Sequence, residues 1–343
     1  MIDTPVAVFV YNRPDLTELL MQQVARVRPS LLLVVADGPR NAADAVKVDE
    51  VRDVVRGETS WAPEVLWHAS EQNLGCAQRI DTGLDWVFSH VPHAVILEDD
   101  TQVAPAFFGF AADALDRYQH DRRIGMVTAR NVLIEYSPDG RAFAARQGTV
   151  GAWATWADRW RTYRSGYQPA DLAARLTHDC IWWALQRHQL ARGDNALADD
   201  EWATTWEIWC TAQRWWTLVP PRNLMVSHGF RPDAVHNTQR QDLRAHYPPV
   251  ADEPAPVLPD GQSLAFDEDY ADLATYLDFL VTSAQPRRWR VLAEASRGRD
   301  DLAPSMQLRL TPWRDRARSL AILDHVGKYL RSAHLEALRD ALR

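Results

Sequence analysis

Cysteine, lysine, glycine and long apolar runs are all scarce in this chain, and each shortage removes a class of protein. Only Cys76, Cys180 and Cys210 occur in 343 residues. An odd number of cysteines without metal-ligand spacing excludes a disulfide framework, suits a reducing compartment, and reads as small buried side chains. Glycine numbers 15 and nowhere forms Gly-x-Gly-x-x-Gly after the first strand or a Walker-type Gly-x-x-x-x-Gly-Lys-Ser/Thr loop. The usual backbone cradles for dinucleotides and P-loop phosphates are therefore missing. Lysine is confined to Lys47 and Lys328, with arginine carrying nearly all the positive charge, an imbalance read as coding bias. The formal net charge of -8 argues against nucleic acid as a partner. No apolar stretch approaches the ~20 residues needed to span a bilayer. Met1 to Val10 moves straight into a strand pattern without a leader, so the expectation is a soluble, cytoplasmic protein.

What is present is a regular alternation. Val6 to Val10 is a continuous apolar run, followed by Tyr11-Asn12-Arg13-Pro14 and an amphipathic stretch from about Asp15 to Arg28. Leu31 to Ala36 is a second run, ending in Asp37-Gly38-Pro39-Arg40, before a polar helix around Ala42 to Arg56. A short strand near Val65 to His68, then Asn73-Leu74-Gly75 and a helix to about Phe88, complete the pattern. Strands alternating with helices at this spacing predict a mostly parallel, doubly wound α/β sheet flanked by helices. Right-handed crossovers then bring the strand-end loops to one edge.

The next strand ends in Ala94-Val95-Ile96-Leu97-Glu98-Asp99-Asp100. Three carboxylates leave a buried strand together at the edge where open α/β sheets hold their ligands, so a divalent cation or hydrogen-bond donors are expected to offset their repulsion. An acidic turn capping the following helix is the alternative. Phe107 to Tyr118 reads as a further helix and Gly125 to Thr128 as a further strand.

From Gly148 to Trp216 the chain is crowded with tryptophan: Trp153, Trp156, Trp160, Trp182, Trp183, Trp202, Trp206, Trp209, Trp215 and Trp216. Most are expected in the core, with one or two meeting the apolar face of a sugar ring. Pro-rich Glu253 to Pro259 reads as an extended connector. The division expected is 1–250 as a catalytic domain, with a nucleotide-sugar half at 1–105 and an acceptor half at 106–250, and 251–343 as connector and helical extension. The spacing of Leu320, Leu323, Val326, Leu330, Leu338 and Leu342 suggests an amphipathic helix in a basic tail, suited to packing on the body or, secondarily, to peripheral membrane contact or self-association.

The order of these pieces resembles a GT-A glycosyltransferase, specifically the bacterial hemolytic-protein-like group related to N-acetylglucosaminyltransferases with a Glu-Asp-Asp motif. The matching segments are Val10 to Pro14, Ala36 to Arg40, Asn73-Leu74-Gly75, Leu97 to Asp100, Gly151 to Trp156, Thr205-Trp206-Glu207, and Asn223 to Phe230 followed by Asp233-Ala234-Val235-His236. Together they span roughly residues 5 to 275.

The resemblance implies a UDP-sugar donor and a Mn²⁺ or Mg²⁺ cofactor. It assigns Asn12, Arg13 and Asp37 to the nucleotide, Arg79 to the diphosphate, Glu98 and Asp99 to ribose or donor sugar, and Asp100 to the metal. His236 falls where the family has a histidine near the metal or diphosphate, although His228 stands where the family tends to have Asn and competes for that place. Glu207 is the candidate general base for inverting transfer, with Asp199, Asp200 and Glu201 as competitors. Trp153, Trp156 and Trp206 are candidates for the substrate side, and the acceptor would be a glycan, glycoconjugate or natural product. Two other readings stand beside this one: a metal-dependent phosphoryl or nucleotidyl transferase using the same carboxylates, and a non-catalytic carbohydrate-binding protein.

Overall fold

The computed structural model describes residues 2–146, 148–166, 202–231, 254–267 and 270. The leading strands are β1 (Val6–Val10), β2 (Leu31–Ala36), β3 (Glu64–Ala69) and β4 (His93–Glu98), joined by helices α1 (Pro14–Val27), α2 (Ala42–Gly57) and α3 (Cys76–His90). After β4 come β5 (Thr101–Val103), α4 (Pro105–Arg117), β6 (Ile124–Thr128), β7 (Phe143–Ala145), β8 (Ala152–Trp156) and α5 (Ala157–Gly166). The remaining described elements are α6 (Trp202–Ala212), β9 (Trp216–Val219), β10 (Met225–Ser227) and β11 (Phe266–Asp267).

Among the described residues, nine strands form one sheet in the order β11-β7-β9-β6-β8-β4-β1-β2-β3. β1 pairs in parallel with both β2 and β4, and β2 with β3, which is the expected Rossmann-like half. β8 is inserted antiparallel between β4 and β6, so the sheet is mixed in its second half. Val6 to Val10 is apolar throughout because both of its faces are covered. Val6, Val8 and Val10 pack with α1 and α4 residues such as Leu20, Val24 and Phe107. Ala7 and Phe9 face the opposite layer, with Leu84 and Val87 of α3 and the tryptophans of α5 and α6.

Two consequences concern the site. Strand order reverses between β1 and β4, making their carboxyl ends the switch point of the sheet. The small sheet of β5 and β10 then returns the chain to that point, with the His228 backbone N donating to the Asp100 carbonyl at 2.7 Å.

The sheet also continues past residue 250, where the catalytic domain was expected to end. β11 pairs in parallel with β7, and Arg117 of α4 and the following Tyr118 hydrogen-bond the Leu258 and Pro259 carbonyls. Residues 254–267 are therefore fastened to the domain rather than leading away from it. The predicted helix over 317–342 lies outside the described residues, as do Trp182, Trp183, Asp199, Asp200, Glu201 and His236. Among the described residues, no helix is long and apolar enough to cross a membrane.

Candidate functional site

The carboxyl ends of β1, β2 and β4 bring Arg13, Asp37, Glu98, Asp99 and Asp100 to one edge. β4 runs apolar and buried up to Leu97, and the chain then turns at Asp99-Asp100 into β5. Arg13 caps α1 after β1; its Nη1 lies 3.3 Å from Asp100 Oδ2 and 3.7 Å from Asp99 Oδ1. The Tyr11 backbone N donates to Asp99 Oδ2 at 3.2 Å. One guanidinium and one amide thus partly offset three crowded carboxyl groups.

That offset is incomplete. Withdrawal from water, then the charges of Asp100 and Asp99, push Glu98 up to about 8, against a smaller opposing pull from Arg130 and Arg13. Desolvation also lifts Asp99 to about 7, with Arg13 acting downward and Asp100 upward. Both shifts favour the protonated forms of Glu98 and Asp99, and a bound cation would act against them.

The residues present fit a hard divalent cation. Asp100 and its neighbours offer carboxylate oxygens, while among the described residues no group of three or more His, Cys, Asp or Glu side chains forms a cage. One or two carboxylates completed by phosphate oxygens and water is the ligand pattern of Mg²⁺-type sites.

Gly229 constrains the same carboxylate from the other side. A Cβ built on it would collide with Asp100 Oδ2, and the neighbouring His228 backbone N donates to the Asp100 carbonyl at 2.7 Å, which restrains the segment from backing away. We expect Gly229→Ala to displace the Asp100 carboxylate or the 227–229 segment. If Asp100 holds a cation, Mn²⁺ affinity should fall about tenfold in this variant, roughly 1.4 kcal/mol, with the melting temperature nearly kept; wild-type affinity would show that the contact is relieved elsewhere.

Asp37 is buried, and its carboxylate is engaged within the fold. Oδ1 accepts from Gly38 N at 2.8 Å and Leu74 N at 3.0 Å, while Oδ2 accepts from Asn73 Nδ2 at 2.9 Å. Burial raises its pKa despite those donors. It braces the loop before α3 against the end of β2. Gly38 makes that approach feasible, since a Cβ there would fall 2.5 Å from the Gln72 backbone.

Arg79 departs from the expected diphosphate contact. It is buried on α3, with Nη2 donating to the His68 carbonyl and lying 3.2 Å from His68 Nδ1, so its guanidinium ties α3 to β3. The aromatic expectation is corrected as well. Trp153 and Trp206 are fully buried and Trp156 nearly so, leaving no ring face for a sugar. Trp153 and Trp206 pack 5.5 Å apart between centroids, and Trp156 Nε1 donates to the Leu115 carbonyl. Burying such large rings on both sides of β8 outweighs presenting them to solvent.

Glu207 lies on α6 and is half-buried. β9 runs parallel to β6, and β6 and β4 both run antiparallel to β8, so α6, which precedes β9, starts near the carboxyl edge of the sheet. Glu207 is five residues beyond Trp202, about 7.5 Å along the helix axis. Its charge, after burial, helps raise the Cys210 thiol. His228 is near Asp100 through its backbone, and its Nε2 lies 3.0 Å from Gln102 Oε1.

Arg130, Gln102 and Gly229 were not singled out from sequence. Arg130 follows β6 and is buried, acting electrostatically on Glu98. Only the pairing of β6 with β8, and of β5 with β10, brings these residues to the cluster.

No family model matches the sequence, and no curated protein matches it. Among solved structures, the chain is similar to a UDP-glucose pyrophosphorylase complexed with UDP-glucose at 8% identity and TM-score 0.37, covering 66% of this chain and 94% of that one. It is also similar to a mannose-1-phosphate geranyltransferase from Thermus thermophilus at 14% identity and TM-score 0.30, covering 66% of this chain and 76% of that one.

Proposed function

We propose that the protein is a metal-dependent, inverting glycosyltransferase that moves a sugar from a UDP-sugar to an acceptor hydroxyl. The observation that carries the reading is the set formed by Arg13, Asp99 and Asp100 at the switch point of the sheet, with Arg13 Nη1 3.3 Å from Asp100 Oδ2. A guanidinium beside carboxylates at that edge suits a diphosphate ester held partly by arginine and partly by a cation.

Asp100 would hold Mn²⁺ or Mg²⁺, with Asp99 beside it; such a cation supplies charge neutralisation for a departing diphosphate. His236 is the further candidate for that place. Arg13 orients the diphosphate, and Asn12 and Asp37 shape the nucleotide end, Asp37 by holding the 73–75 loop. Glu98 and Asp99 meet ribose or donor sugar. Glu207 takes the acceptor hydroxyl proton as that oxygen bonds to the anomeric carbon, while the bond from that carbon to the diphosphate oxygen breaks with its electron pair leaving on UDP. A glycan, glycoconjugate or natural-product acceptor enters on the side of α6.

A nucleotidyl transferase would use the same carboxylates on a triphosphate. The loop after β1, Tyr11-Asn12-Arg13-Pro14, is neither glycine-rich nor built to wrap one. A thermal-shift screen of nucleotides and nucleotide sugars with and without Mn²⁺ tests the choice, because ligand binding to the native state adds stability. UDP and one UDP-sugar with Mn²⁺ should raise the melting temperature by several degrees. Stabilisation by GDP alone, or formation of a nucleotide sugar from a triphosphate and a sugar phosphate, overturns the assignment.

A further inference from the structure

Asp44, in the first turn of α2, has no place in the chemistry above, yet it gathers an unusual set of donors. It is 7% exposed. The Tyr11 hydroxyl and the Arg40 backbone N both donate to Oδ2, the latter at 2.9 Å, with Arg40 Nε at 3.4 Å. Asn12 Nδ2 donates to Oδ1 at 2.5 Å. Its own N donates to Asn41 Oδ1 at 3.0 Å, the helix cap. An Asn cap with an acid three residues on is ordinary helix-start chemistry. Side chains arriving from the loop after a different strand are not part of that motif.

The other ends of those connections reach the acidic cluster. Tyr11 donates through its hydroxyl to Asp44 and through its backbone N to Asp99. Asn12 is held by Asp44, and the next residue, Arg13, reaches Asp100. Three consecutive residues are thus strung between one carboxylate on α2 and two at the end of β4. A buried carboxylate with several donors is an anchor whose loss leaves each donor short of a partner. Burial acts to raise the Asp44 pKa, but the Arg40 amide, the Tyr11 hydroxyl and the Asn12 amide together outweigh it and hold the carboxyl well below its usual range. Burial and the bond to Asp44 push the Tyr11 phenol upward, so it keeps its proton. Both shifts favour a charged anchor and a protonated phenol.

We propose that Asp44 is a positioning residue for the donor site: it locks the 11–13 loop so that Arg13 is held over Asp99 and Asp100 before a sugar nucleotide arrives. The inference rests on the sugar-nucleotide reading for its binding consequence and on the hydrogen-bond chain alone for its structural one. It also redirects Asn12, one of whose amide hydrogens serves Asp44 rather than a nucleobase.

The test uses the full chain with Asp44→Asn, Tyr11→Phe and the double variant, measuring amide exchange and the Kd of UDP with Mn²⁺. Asp44→Asn should speed exchange of the Tyr11 amide and weaken UDP about tenfold, with the melting temperature lowered by only a few degrees. Tyr11→Phe should do the same to a smaller degree, and the double variant should be no worse than Asp44→Asn, since the Tyr11 hydroxyl acts through its bond to Asp44. Unchanged Tyr11 exchange in Asp44→Asn, additive losses, or an affinity loss that tracks melting temperature across all variants overturns the proposal. If Asp44→Asn does not fold, Tyr11→Phe decides by the same two measurements. If the wild-type chain binds no UDP, the sugar-nucleotide reading fails, and the exchange arm still decides whether Asp44 holds the loop.

Discussion

Asp100→Asn should abolish metal-stimulated turnover, lowering kcat/KM by about a thousandfold, the equivalent of ~4 kcal/mol. The substitution keeps the shape of the side chain and the neighbouring Gly229 contact, but it removes the charge from the more exposed of the two aspartates that face Arg13. Asp99 is less able to take over, because withdrawal from water raises its pKa to about 7 and its Oδ2 already accepts from Tyr11 N. Arg13 loses its closer partner in the same step. The check is turnover against Mn²⁺ concentration together with the UDP–Mn²⁺ thermal shift. Undiminished turnover in chelator, in either protein, would remove the metal from the reaction.

Glu207→Gln should leave donor binding intact and lower transfer by about 10²–10⁴-fold, the usual range for a positioned general base. The amide has nearly the same volume, so the packing of Trp206 and Ile208 on either side is preserved. The decisive measurement is the split between the Kd for UDP–Mn²⁺, expected within a factor of about two, and kcat, expected to fall. Near-normal kcat moves the base to another carboxylate. Absence of any glycoside product in the wild-type protein, with donor still bound, instead favours a carbohydrate-binding protein.

Much of the first half of the fold is legible in the sequence for one physical reason. Strands covered on both faces must be apolar throughout, and helices covered on one face must repeat near 3.6 residues, so Val6–Val10, Leu31–Ala36 and the helix over Pro14–Val27 announce themselves locally. The acidic end of β4 is visible for the same reason, as charge can appear only where the buried strand ends. The tryptophan-rich segment is not legible in this way. Ala152–Trp156 carries Trp153 and Trp156, which on composition alone suit either a core strand or a ligand platform.

Tertiary structure decides that question by inserting Ala152–Trp156 antiparallel between β4 and β6, with helices over both faces, so its rings become core. It likewise decides the roles of Arg79 and Asp37. A buried guanidinium or carboxylate seeks partners within the fold; Asp37 finds them in the 73–75 loop, and Arg79 finds the His68 carbonyl for its Nη2 while its buried Nε has no partner among the described residues. Local sequence by itself determined which strands are buried and where their charged ends emerge, because burial and periodicity are properties of short segments. Which of those charges meet one another, Arg13 with Asp100 across 87 positions and Asn12 with Asp44 across 32, depends on strand order and loop closure. Those are long-range properties that no single segment encodes.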